Sequence, residues 1–147
     1  MIPVTQTKVV VKNSKDEVVV RGNCFAASIA SLIELPLPQV PNVEVLFGIE
    51  GSYWIEVMCC FLTNLGYDLS SDDRFRVFHE KNYGKKEKQR YKWMKECRNK
   101  YYIVFGESPR GFRHSVIYKN GLLAHDPHPS REGIILPDYF MSLEKLK

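Results

Sequence analysis

The chain has 147 residues, 44% of them hydrophobic and 26% charged, with a formal net charge of +4. A chain of that size buries one core without obligatory metals or disulfides, and its composition excludes a disordered polymer. The apolar runs are too short to span a bilayer, and MIPVTQTKVVVK lacks the basic and apolar regions of an export signal, so a single domain over 1–147, cytoplasmic and without membrane contact, is expected.

TKVVVKN and EVVVR read as two short strands around Ser14, Lys15 and Asp16, an N-terminal hairpin. In GNCFAASIASLIELPLPQVPN, Phe25, Ile29, Leu32 and Ile33 recur at helical spacing, with Asn23 typed as the N-cap and Pro36 ending the run. Cys24 therefore falls in the first turn of a helix. SYWIEVMCCFLTNLGYDL repeats the pattern, placing Trp54, Met58, Phe61 and Leu65 on one stripe and Gly66 at the C-terminal cap. A short strand over 74–79 and a basic helix after Gly84, with Tyr91, Trp93 and Met94 inward, are expected next. The last third, YYIVFGESPRGFRHSVIYKNGLLAHDP, reads as strand, Gly/Pro loop, strand, Asn-Gly turn and strand, before an extended or helical tail. Helices ahead of an antiparallel sheet predict an α+β fold.

The cysteines are Cys24, Cys59, Cys60 and Cys97. Neighbours Cys59 and Cys60 are poorly placed to bond each other, and without an export signal free thiols are expected. Only Cys24 has chemical company, and the other three read as structural. Unpaired amides at a helix N-terminus stabilise a thiolate, a histidine can hold that thiolate and protonate a leaving group, and a third group can fix the histidine ring. His114 and Asp126 suit those roles only if they share a sheet face. A three-residue loop Lys119-Asn120-Gly121 sets His114 opposite Asp126, whereas a two-residue Asn120-Gly121 turn sends Asp126 to the other face unless a bulge intervenes.

Gly-Asn-Cys-Phe-Ala-Ala opening a helix, then a His-Ser-Val-Ile-Tyr strand and a following Asp-Pro, resembles the papain-like cysteine peptidases, especially the bacterial branch that cleaves bacteriocin leader peptides. Gly-Asn-Cys-Phe, Ser-Pro-Arg-Gly and His-Asp-Pro-His-Pro-Ser are also similar to small bacterial and phage proteins of that fold. The resemblance covers residues 22–35 and 106–131. It implies an N-terminal helix carrying Cys24 as nucleophile, packed on an antiparallel sheet that carries His114 as general base and acid and Asp126 as the orienting residue. It implies no cofactor. Such enzymes place a Gln shortly before the cysteine to donate to the oxyanion. Here the upstream Gln is Gln6, eighteen residues away, which reaches the site if the hairpin loops out; the amide of Cys24 is the other donor.

Pro127 and Pro129 stiffen a loop that leaves His125, His128, Ser130 and Arg131 beside the cleft, and Ser108-Pro109-Arg110-Gly111 forms the adjoining rim. Arg110, His125, His128 and Arg131 are the expected substrate contacts, the arginines suiting an acidic or carboxylate group. His125, Asp126 and His128 also invite a metal reading, but adjacent strand residues point to opposite faces and the spacing matches no zinc motif, so no metal is expected. Nine Lys and Arg residues crowd 81–100, interleaved with Tyr91 and Trp93 and followed by Tyr101 and Tyr102. That segment suits an acidic partner or nucleic acid. The expected activity is acyl transfer at a peptide, isopeptide or other amide bond of a peptide or protein substrate; amidase, deamidase and transglutaminase-type reactions use the same three residues. The alternative is a non-catalytic phage or mobile-element binding protein on that fold, capturing a host protein, nucleic acid or small ligand.

Overall fold

The computed structural model describes residues 1–47, 53–72 and 98–147. Strands β1 (Val11–Lys12) and β2 (Val18–Val20) form a two-stranded antiparallel ribbon. Its turn is held by Asn13, whose Oδ1 accepts the amides of Lys15 and Glu17 at 2.9 and 3.0 Å. The chain then enters α1 (Cys24–Ile33), where Phe25, Ala26, Ile29, Ala30 and Ile33 turn one apolar stripe into the core. Glu34 ends the helix in the left-handed region at φ 60°, and the amide of Leu35 closes back on the Ala30 carbonyl at 3.1 Å. The helix thus stops before Pro36 is reached.

A short 3-10 turn at Val43–Leu46 leads towards α2 (Tyr53–Asn64), which buries Met58 and Leu62 and packs Trp54 and Phe61 against the same core. Leu65, expected on that stripe, follows the last helical residue and is exposed; Leu62 takes its place inside. Gly66 follows at φ +81°, a conformation that suits glycine.

Strands β3 (Tyr67–Asp72), β4 (Tyr101–Glu107), β5 (Arg113–Lys119), β6 (Leu122–His125) and β7 (Leu136–Lys145) make a five-stranded sheet in the order β3-β7-β4-β5-β6. Every neighbouring pair is antiparallel. The fold is α+β, as its helix and strand content predicts. The tail is extended rather than helical because β7 fills the gap between β3 and β4, a pairing no local pattern announces; β3 itself was not expected. The expected strand over 74–79 and the basic helix after Gly84 lie outside the described residues. Of 81–100, only Arg98, Asn99 and Lys100 are described, and all three are exposed.

Alternation along β4 divides the core. Ile103 and Phe105 face the helices with Phe25, Ile29, Met58, Leu62 and Met141, while Tyr102 and Val104 turn to the other face with Val116 and Phe140. Packing α1 against β5 brings the helix alongside the strand that carries His114. Among the described residues no helix is long and apolar enough to cross a membrane.

Candidate active site

The β5–β6 hairpin combines a short turn with a bulge. Asn120 and Gly121 both take positive φ, 53° and 80°, as a tight two-residue hairpin turn requires, and Lys119 pairs with Leu122 and Tyr118 with Leu123. The register then slips by one residue at Ala124, so that Ile117 pairs with His125. One step further, Asp126 falls opposite Val116, which shares a sheet face with His114. The bulge therefore undoes the side reversal that the short turn alone would impose.

His114 Nε2 lies 2.6 Å from Asp126 Oδ1, and the two side chains are 4% and 1% exposed. Asp126 also accepts backbone amides, His128 at Oδ1 (2.8 Å) and Gly133 at Oδ2 (2.7 Å). Burial by itself would raise the Asp126 carboxyl, but the His114 bond and these two amides hold it down to about 2. Burial likewise pulls His114 down, yet its hydrogen bonds to Asp126 and Cys24, together with their charges, lift it to about 9. Asp126 and Cys24 thus both favour the charged form of this buried ring.

Cys24, half-buried and unbridged, opens α1, and its thiol is among the groups that lift His114. With Nε2 committed to Asp126, Nδ1 is the ring nitrogen left for another partner. Cys59 and Cys60 are also free thiols; Cys60 is exposed rather than packed as a structural residue, and burial with the nearby Asp68 charge pushes the Cys59 thiol up. Cys97 lies outside the described residues.

The start of α1 departs from its expected capping. Asn23 occupies the N-cap position, but its side chain makes no cap bond. Its Oδ1 instead accepts the amides of Thr7 and Lys8 at 3.1 and 2.9 Å, and its Nδ2 donates to Thr7 Oγ1 at 3.0 Å, stitching the N-terminal segment to the helix. The cap comes from Glu44, whose Oε1 accepts the amides of Phe25 and Ala26 at 2.6 and 3.0 Å. Two of the first-turn amides expected to favour a thiolate are therefore taken. The amide of Cys24 has no hydrogen-bond partner among the described residues. No local signal could have identified Glu44, because its bonds reach back 19 and 18 residues through the fold.

Gln6 sits beside this end of the helix. The chain leaves at Lys8, makes the β1–β2 ribbon and returns at Asn23, whose amide donates to the Lys8 carbonyl at 3.2 Å. Gln6 donates its own amide to the Pro127 carbonyl at 2.9 Å and its Nε2 to the Lys8 carbonyl at 2.7 Å. A Cβ on Gly22 would stand 3.2 Å from that Nε2, so the close approach depends on glycine. One hydrogen of the Gln6 amide is spent on Lys8, leaving the second.

The four expected substrate contacts divide. His125 is buried with Nε2 against the Val4 carbonyl at 2.8 Å, and Arg131 binds the Asp126 carbonyl through Nη1 and Thr5 Oγ1 through Nη2 at 2.6 Å. Both brace the N-terminal segment against the Asp126 loop. Arg110 lies closer to the surface, reaching Ser130 Oγ at 2.9 Å and Glu132 Oε2 at 3.1 Å. His128, half-buried, stands with its ring 6.0 Å from that of His114 and its Nδ1 on Ser130 Oγ. Burial, then the charges of Arg110 and His114, push His128 below the ordinary histidine range. Among the described residues no group of three His, Cys, Asp or Glu side chains could hold a metal ion.

No protein-family model, curated protein or solved structure matches the chain.

Proposed function

We propose that the protein is a papain-like, cysteine-dependent acyl-transfer enzyme that hydrolyses a peptide, isopeptide or related amide bond in a peptide or protein substrate. The observation that carries this reading is the buried His114–Asp126 pair, 2.6 Å apart, with the helix-opening thiol Cys24 among the groups that favour the charged ring. In the proposed cycle the Cys24 thiolate attacks the carbonyl carbon, and the carbonyl oxygen takes the negative charge. The Cys24 amide, with no other partner, is directed at that oxygen, and the second Gln6 Nε2 hydrogen supplies a further donor. His114 gives its Nδ1 proton to the departing amine as the C–N bond breaks, leaving a Cys24 thioester. Water then attacks the thioester, His114 takes its proton, and the acid leaves with the thiolate restored. An amine in place of water gives transamidation by the same steps.

A second reading, a non-catalytic binding protein on this fold, is favoured by the donation of Gln6 Nε2 to Lys8 rather than into the site. Iodoacetamide labelling followed by peptide mass spectrometry separates the two. The enzyme reading expects Cys24 to label at least tenfold faster than Cys59 or Cys60 at slightly acidic pH, and His114→Ala to abolish that advantage. Equal labelling of the cysteines, or an advantage that survives His114→Ala, would give the site to the binding reading.

A further inference from the structure

The end of α1 that carries Cys24 also carries a buried carboxylate that the proposed cycle does not use. Glu44 is 2% exposed, and its Oε2 has no hydrogen-bond partner among the described residues. We propose that Glu44 is a positioning residue for Cys24: seated on the two amides that follow the nucleophile, it fixes the direction of the sulfur and, when ionised, opposes negative charge there. The thiolate then forms most readily when Glu44 carries a proton. This rests on the reading of Cys24 as nucleophile.

Three observations support it. Glu44 Oε1 occupies the Phe25 and Ala26 amides, which would otherwise lend their positive ends to the sulfur. Two negative charges crowded at one poorly solvated helix end disfavour each other. Burial, the largest influence, also pushes Glu44 up to about 6 against the pull of the backbone amides, so its proton is taken up in mildly acidic solution. Among the described residues, nothing on the neighbouring elements takes over this role. No ion pair involves Glu44 among the described residues. The titratable groups on the helices packed against its turn are Cys24 on α1 and Tyr53, Glu56, Cys59 and Cys60 on α2. Tyr53, Glu56 and Cys60 are exposed, while Glu34 lies past the far end of α1 on the N-terminal amine at 2.6 Å. A protonated Glu44 still offers Oε1 to both amides, so the cap persists while the charge disappears.

The test is the pH profile of Cys24 alkylation by iodoacetamide, read peptide by peptide for wild type, Glu44→Gln and His114→Ala. Glu44→Gln keeps an acceptor for both amides and should hold the wild-type unfolding midpoint below about pH 6, where Glu44 itself is uncharged. Its Cys24 labelling should match wild type below about pH 6, where Glu44 already carries a proton, and exceed it by up to about tenfold above that pH, where wild-type Glu44 is charged. A folded Glu44→Gln protein with the wild-type profile overturns the proposal while leaving Cys24 as nucleophile. A wild-type Cys24 no faster than Cys59 and Cys60, and indifferent to His114→Ala, overturns the nucleophile reading and the proposal with it. Should Glu44→Gln fail to fold, coupling is read from the other side by carboxyl NMR, since linkage is reciprocal. Glu44 should titrate lower in Cys24→Ala than in wild type, and an unchanged titration overturns the proposal.

Discussion

The two hairpins of this protein look alike as sequence and differ as structures. Both pair two short strands across a tight polar turn, yet the β1–β2 ribbon leaves Val11, Val18, Val19 and Val20 exposed, whereas β5–β6 joins a five-stranded sheet and delivers a buried Asp126. The β1–β2 ribbon has no second layer over its valines and serves as a detour between Lys8 and Asn23. The other hairpin carries an extra residue, Ala124, that looks like a defect in pairing but decides which face Asp126 takes. Strand-forming composition predicts that a hairpin exists; burial and register decide whether it carries chemistry.

The sharpest way to break this contrast is to insert an alanine between Ala124 and His125. The inserted residue should then take the place of His125 opposite Ile117 and push Asp126 one position on, turning it away from His114 and leaving a buried charge without its partner. A loss of about 3–5 kcal/mol in urea unfolding is expected from breaking such a pair, together with loss of selective Cys24 labelling. Inserting a glycine after Lys15 in the β1–β2 turn should leave both measurements near wild type. Were that insertion harmless, the register beyond Ala124 would not be what sets the site.

Asp126→Asn should do less. An amide oxygen can still accept from His114 Nε2, so the ring keeps a partner while losing the countercharge; a cost of about 1–3 kcal/mol is expected. Cys24 labelling should slow by about tenfold or more without vanishing, since each pKa unit of lost imidazolium stabilisation is a factor of ten. His114→Ala should remove the labelling advantage entirely.

The pH dependence of stability gives a third comparison. Asp126 is lowered from 3.8 to about 2 by folding, so its contribution is present above 3.8 and lost as pH falls towards 2. His114 is raised from 6.5 to about 9, so its contribution is full below 6.5 and fades as pH rises through 9. Glu44, raised from 4.5 to about 6, has the same sign as His114: folding favours its protonated form, and that advantage is lost as pH rises through 6. Unfolding free energy measured against pH should therefore peak in mild acid and decline towards alkaline pH. Asp126→Asn should flatten the decline near 9, and Glu44→Gln the one near 6. The smallest effect belongs to the ribbon: Val18→Thr and Val19→Thr, at exposed positions, should each stay within about 0.5 kcal/mol of wild type.

Much of this arrangement is legible in the residues. Phe25, Ile29 and Ile33 mark α1 by spacing, Asn120-Gly121 marks the turn, and the order of Cys24, His114 and Asp126 suggests their roles. The unread part is tertiary. Asn23 has the chemistry of a cap, but Thr7 and Lys8 offer it better-placed donors, so the cap passes to Glu44. Leu136–Lys145 pairs with two strands at once, a fact no window of sequence contains, and Tyr67–Asp72 alternates too weakly to signal an edge strand. His125 and Arg131 read as surface groups beside prolines. Only the fold shows that Val4 and Thr5 are waiting for them.

Those last contacts have a consequence in time. Val4 meets His125 and Thr5 meets Arg131 across 121 and 126 residues of chain, and Gln6 bonds Pro127. Contacts of such long sequence separation form late, because the loop between their ends must close first. During synthesis the helix bearing Cys24 emerges well before the strand bearing His114 and the loop bearing Asp126. On the proposed reading, the thiol waits through synthesis of the intervening chain for the imidazolium that would arouse it. The order in which the parts are made would then time the chemistry.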